Sequence, residues 1–286
     1  MQSMIRYGAL AVLLLAIASG CSNADANPSG RRENTMAVPV RDFSVEAFDF
    51  AFRAADTIHA GLTRIRMKNA GPAMHHVTVV KLDQGHTIQE LLASISAGTF
   101  APSWATYVGG PEPMPLHTEG SVTVELAPGN YALLCFISGK DHIRHLDKGM
   151  VRALTVLPAG PSAPTVEVVA DSRMTLRDYG FEITPALTPG RRTIRVENVA
   201  NQPHHAELIR LHEGRTFADA REWGRTSEGP PPFDFVGGVS PLSPGQVNHF
   251  TADLVPGTYV LVCFFPDAND GKPHIAHGMV REFRIE

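Results

Sequence analysis

Near the C-terminus the stretch CFFPDANDGKPHIAHGMVREF (263–283) holds one cysteine, two histidines and a methionine. A second stretch, CFISGKDHIRHLDKGMVRAL (135–154), also opens on Cys-Phe and runs into Gly-Met-Val-Arg. Thiolate and thioether sulfur together with imidazole nitrogen are the soft and borderline donors that copper prefers. Comparing the two stretches shows which donors recur. They are Cys135 and Cys263, the histidines five residues before each methionine (His145 and His274), and the methionines Met150 and Met279. A further donor for each set lies about sixty residues upstream, in HHVTVVKL (75–82) and HHAELIRL (204–211). There His75 and His204 alternate with apolar residues and are the expected inward donors, while His76 and His205 fall on the other face, solvated or supporting. His142 and His277 have no counterpart in the other stretch and read as surface histidines. DANDG (267–271) resembles the start of a calcium loop, but no Glu follows at the required spacing, and a tight turn explains it.

These donors need elements that bring them to one pole. LAPGNYALLCF (126–136) and LVPGTYVLVCF (254–264) each read as a Pro-Gly turn followed by an alternating strand that ends on the cysteine. FDFAF (48–52) and YGFEI (179–183) read as early strands, and segments near 87–96 and 216–223 as short helices bridging sheet to sheet. The cysteines lie 128 residues apart and the first histidines 129, so one domain has been duplicated. The expected organisation is a signal segment (1–21), a polar tether (22–36), domain 1 (37–157), a Pro/Gly/Ser linker (158–164) and domain 2 (165–286).

The first residues carry Arg6 and then an apolar run too short to span a membrane comfortably. ASGC (18–21) follows, and it resembles the lipobox of bacterial lipoproteins, in which the thiol of Cys21 would carry lipid. The mature protein is then expected to be exported, periplasmic and anchored to a membrane through Cys21. With Cys21 so assigned, one cysteine remains per repeat, which excludes a disulfide within either. A net charge of −4 with mixed signs and no basic stripe excludes nucleic acid as a partner. Gly 25 and Pro 22, with short Val-, Thr- and Phe-bearing runs between them, imply an all-β chain rich in turns.

NAGPAMHH (69–76), PGNYALLC (128–135) and HLDKGM (145–150), with NVANQPHH (198–205), PGTYVLVC (256–263) and HIAHGM (274–279), resemble the cupredoxins, the blue-copper family. Between them the two copies span nearly the whole mature chain. The resemblance implies two tandem Greek-key β-sandwiches, with short helical insertions. It also implies two type 1 copper sites, His75–Cys135–His145–Met150 and His204–Cys263–His274–Met279, that pass electrons to and from redox partner proteins. Nine and ten residues separate each cysteine from its second histidine, whereas small cupredoxins use only a few. That spacing is more similar to the type 1 site of copper nitrite reductases.

Two other readings stand beside the carrier. In a metal-free sandwich serving as an interaction or sensor module, the cysteine is simply a core residue. An oxidase or nitrite reductase needs a second copper site. Its usual His-x-His pairs occur nowhere in the chain, and Leu134, Phe136, Val262 and Phe264, rather than histidines, flank the cysteines.

Overall fold

Residues 40–159, 168–226 and 228–286 are described by a computed structural model of the chain. The signal-like segment with Cys21, the tether and most of the linker lie outside the described residues. In the first repeat the strands are β1 (Arg41–Phe48), β2 (Ala51–Arg53), β3 (Thr57–His59), β4 (Gly61–Asn69), β5 (Thr78–Leu82), β6 (Ala105–Gly109), β7 (Glu119–Leu126), β8 (Gly129–Leu134) and β9 (Val151–Leu157). The second repeat supplies β10 (Ser172–Arg177), β11 (Gly180–Thr184), β12 (Gly190–Asn198), β13 (His204–Leu211), β14 (Phe233–Leu242), β15 (Val247–Leu254), β16 (Gly257–Val262) and β17 (Val280–Ile285).

Period-two alternation sets the inner faces. Phe43, Val45 and Ala47 of β1, and Ile65 and Met67 of β4, are buried while their neighbours are more exposed. Each large apolar side chain so buried contributes about 1.5–3 kcal/mol. The helices α1 (Ile88–Ser96) and α2 (Phe217–Thr226) fall where the sequence places helices. Thr87 begins α1 with a reciprocal cap, its Oγ1 accepting from Glu90 N–H while the Glu90 carboxylate accepts from Thr87 N–H. Neither helix bridges sheet to sheet. Each joins neighbouring antiparallel strands of one sheet, β5 to β6 and β13 to β14.

Two sheets run through both repeats. One has the order β11-β10-β12-β15-β7-β4-β1-β2, the other β17-β16-β13-β14-β6-β5-β8-β9-β3. The repeats therefore meet through equivalent strands, β15 on β7 and β14 on β6, related by an approximate two-fold axis. A single apolar cluster draws buried residues from both repeats. The sequence foretold the repeats but not this hydrogen-bonded seam, because exposed strand edges leave no mark in composition. Gly110 and Gly238 lie on the seam at φ +142° and +136°, where a Cβ would come within 1.8 Å of Val77 O and 1.9 Å of Ala206 O.

Candidate metal centres

Each donor arrives at one pole for a local reason. Asn69 ends β4, and its buried amide donates to Ala73 O (2.7 Å) and Met114 O (2.8 Å), pinning the loop that delivers His75. Asn198 does the same toward Gln202 O and Leu242 O ahead of His204. Cys135 and Cys263 follow directly on β8 and β16. His145 and His274 each open a single 3-10 turn that closes on a left-handed glycine, Gly149 or Gly278, just before the methionine. That turn folds the methionine back. Met150 N–H donates to His145 O (2.9 Å), and Cys135 N–H to Met150 O (3.4 Å).

The sequence-derived histidines and cysteines converge as two clusters. In the first, His75 Nδ1 and His145 Nδ1 are 3.1 Å apart and Cys135 Sγ is 3.5 Å from His145 Nδ1. In the second, His204 Nδ1 and His274 Nδ1 are 2.9 Å apart, with Cys263 Sγ 3.4 Å from His274 Nδ1 and 4.0 Å from His204 Nδ1. All six residues are buried, as are Met150 and Met279, and both cysteines are free thiols. In each group the ligand atoms lie within 4.8 Å of one another.

A metal ion fits this arrangement. His75 Nε2 lies 2.6 Å from Asp49 Oδ1 and His204 Nε2 2.6 Å from Asp178 Oδ1. The hydrogen-bond network thus assigns the proton to Nε2 and leaves the Nδ1 lone pair facing the centre. The donors are buried, and a cation between the two nitrogens and the sulfur would satisfy all three together. The triangle, with edges of 2.9–4.0 Å, has the size that bonds of about 2.0–2.3 Å require. Two imidazoles and a thiolate select copper.

Two features escaped the sequence reading, and a third decides between alternatives it left open. Asp49 and Asp178 orient the first histidines. FDFAF is not one strand, since β1 ends at Phe48 and Asp49 turns the chain, its carboxylate also accepting from Ala73 N–H. The recurrence of Asp before an aromatic, at the same offset of 129, was the available signal. Of the two roles the sequence left open to the second histidines, solvated or supporting, the structure shows the supporting one. His76 Nε2 accepts Phe136 N–H (2.8 Å) and His205 Nε2 accepts Phe264 N–H, so each braces the residue after its cysteine. Finally, Glu112 reaches from the first repeat across the seam to His205 Nδ1 (3.3 Å), while the equivalent position in the second repeat is Ser240. Burial and the Glu112 carboxylate together raise the pKa of Glu207 nearby.

The loops around the centres differ. Asp267 in DANDG is buried and fully engaged. Its Oδ1 accepts from Asn269 and Asp270 N–H, and its Oδ2 from Tyr179 Oη–H (2.6 Å) and Gln202 Nε2–H (2.9 Å). The turn reading of that stretch holds. His277 and His142 are both exposed, and His277 contacts Asp270.

Burial pushes His76 down to about 3, and burial together with the neighbouring His75 pushes His145 down to about 4. Both are then neutral in the folded, metal-free chain, whereas the unfolded chain takes up protons below about 6.5. Because the unfolded state binds more protons, stability is full above that pH and falls progressively down to pH about 3. Urea midpoints of the metal-free protein should fall over this window. His76→Asn, which keeps an acceptor for Phe136 N–H, should flatten the slope; an unchanged slope would contradict the assignment.

No family model and no curated protein matches the chain. Among solved structures, the dithionite-reduced auracyanin of the photosynthetic bacterium Roseiflexus castenholzii is 17% identical over 43% of this chain and 100% of its own, with a TM-score of 0.32. A copper-containing nitrite reductase from Thermus scotoductus is 12% identical over 87% of this chain and 62% of its own, with a TM-score of 0.25. A blue copper oxidase from Nitrosomonas europaea is 14% identical over 87% of this chain and 86% of its own, with a TM-score of 0.26. With both sheets and both donor clusters in place, the chain is all-β, its two tandem repeats contributing strands to both sheets, as its sequence leads one to expect.

Proposed function

We propose that this is an exported copper protein, lipid-anchored through Cys21, whose two repeats (37–157 and 165–286) each hold a type 1 centre and carry electrons between redox partner proteins. One observation supports this above all: two buried imidazole Nδ1 atoms and a buried cysteine sulfur meet twice, at equivalent places. The residues that would hold copper are His75, Cys135, His145 and Met150 in one repeat, and His204, Cys263, His274 and Met279 in the other. Copper bound there supplies a one-electron couple.

The chain's own residues suit that task. Asp49 and Asp178 hold the first histidines in one tautomer, and Leu146 N–H (2.9 Å) and Ile275 N–H (2.8 Å) tie each cysteine carbonyl to the loop of the second histidine. A cage held by backbone bonds moves little between oxidation states, which favours rapid electron transfer. No imidazole adjoins either cysteine in sequence, so we favour a carrier over an oxidase or reductase.

The chain lacking its first 21 residues should take up two equivalents of Cu(II) and develop the intense thiolate-to-copper absorption of blue centres. Absence of that band, with Cys135 and Cys263 both alkylated under native conditions, would sink the reading.

A further inference from the structure

The two centres are joined by aromatic rings. The His274 ring lies 6.3 Å from Phe265, centroid to centroid, Phe265 lies 5.2 Å from Tyr107, and Tyr107 lies 6.4 Å from Phe136, the residue bonded to Cys135. Every step falls within the range of direct ring contact. Tyr107 belongs to β6 of the first repeat and Phe265 to the metal loop of the second, so the chain of rings crosses the seam. Both are buried, and the Tyr107 hydroxyl is spent on Phe100 O. The Tyr107 backbone is itself stitched across the seam, Ser243 N–H donating to Tyr107 O (2.8 Å) and Tyr107 N–H to Ser243 Oγ (2.9 Å).

Duplication alone does not produce this path. Ile137 stands where Phe265 does, as their shared role shows: Ile137 O accepts from His145 N–H and Phe265 O from His274 N–H. Phe235 stands where Tyr107 does, since Tyr107 pairs with Val80 and Phe235 with Ile209. Phe235 turns to Phe233 in a separate apolar cluster. The mirror-image path is therefore interrupted at Ile137. Aromatic residues have been placed on one of two symmetric routes, the one that runs from a histidine of the second centre to the cysteine of the first.

We propose that the two centres exchange electrons within the molecule through Phe265, Tyr107 and Phe136, so that the protein is a coupled two-electron carrier rather than two independent one-electron carriers. This rests on the copper reading above. In the exchange one electron leaves the reduced centre and arrives at the oxidised one. No proton accompanies it, because the Tyr107 phenol keeps its proton and donates it in a hydrogen bond to Phe100 O.

The test uses a Met279→Gln background, which changes the axial ligand and so separates the two absorption bands and potentials. A substoichiometric pulse of a small reductant is given to the fully oxidised copper protein, and the redistribution between the two bands is followed. The expected result is a first-order phase independent of protein concentration, slowed by an order of magnitude or more in Phe265→Leu and in Tyr107→Leu. Tyr107→Phe, which keeps the ring, should equilibrate at the parent rate. Intact bands in both leucine variants with unchanged rates would overturn the relay while leaving the copper reading standing. Slowing in Tyr107→Phe equal to that in Tyr107→Leu would also overturn it, since the ring would then not be the conduit. Absence of both bands in the parent would overturn the copper reading and the relay with it.

Discussion

Cys263→Ser is expected to bind one equivalent of copper instead of two and to lose one thiolate-to-copper band while the Cys135 band persists. The thiolate is the strongest donor of its cluster, and a serine hydroxyl at the same buried position offers a neutral oxygen in its place. Each cluster takes its donors from a single repeat, so the Cys135 triangle keeps its geometry. Stability should follow the metal. A ligand that binds only the native state at 1,000 times its Kd stabilises by about 4 kcal/mol. The copper-dependent rise in Tm should therefore shrink in Cys263→Ser, and Cys135→Ser should behave reciprocally. Retention of both bands would remove Cys263 from the metal, and loss of both would mean that the clusters do not fold as separate cages.

Gly110→Ala and Gly238→Ala should each cost about 3–5 kcal/mol, among the largest effects a single methyl group can have. The added Cβ would meet a backbone oxygen at 1.8 Å or 1.9 Å, and the positive φ disfavours any side chain even without that clash. The carbonyls struck belong to Val77 and Ala206, which follow the His-His pairs, so each variant should also disturb the metal site of the repeat whose strand it displaces. Gly98→Ala is the control. It too has a positive φ, but nothing lies within 4 Å of its Cβ, so only backbone strain of about 1 kcal/mol should appear. Denaturant unfolding and copper stoichiometry read both effects. Gly110→Ala as stable as Gly98→Ala would show that the seam yields easily.

The two kinds of prediction draw on different parts of the protein. Cys135 and His145, or Cys263 and His274, sit a single loop apart, and the loop's Gly-Met ending recurs. Local spacing and one duplication were therefore enough to single out those donors, and the alternating strand before each cysteine indicated the sheet that carries it. His75 and His204 were legible because a paired histidine at the mouth of an apolar strand appears twice at one offset. Alternation left His76 and His205 either solvated or supporting, since it cannot tell whether the second face meets water. In this chain β5 and β13 are covered on both faces and the second histidines are buried beside the seam.

What the sequence by itself determined, then, is the repeat, the all-β class and the two histidines and cysteine that meet at each pole, because all of these follow from local periodicity and a constant offset. Tertiary structure alone decided the rest. The edge pairing of β6 with β14 and β7 with β15 brings Glu112 to His205 and Tyr107 to Phe265 across more than 90 residues of chain. Such contacts depend on which strand edges find each other, a choice made by backbone hydrogen bonds common to every residue type and therefore unwritten in any one motif.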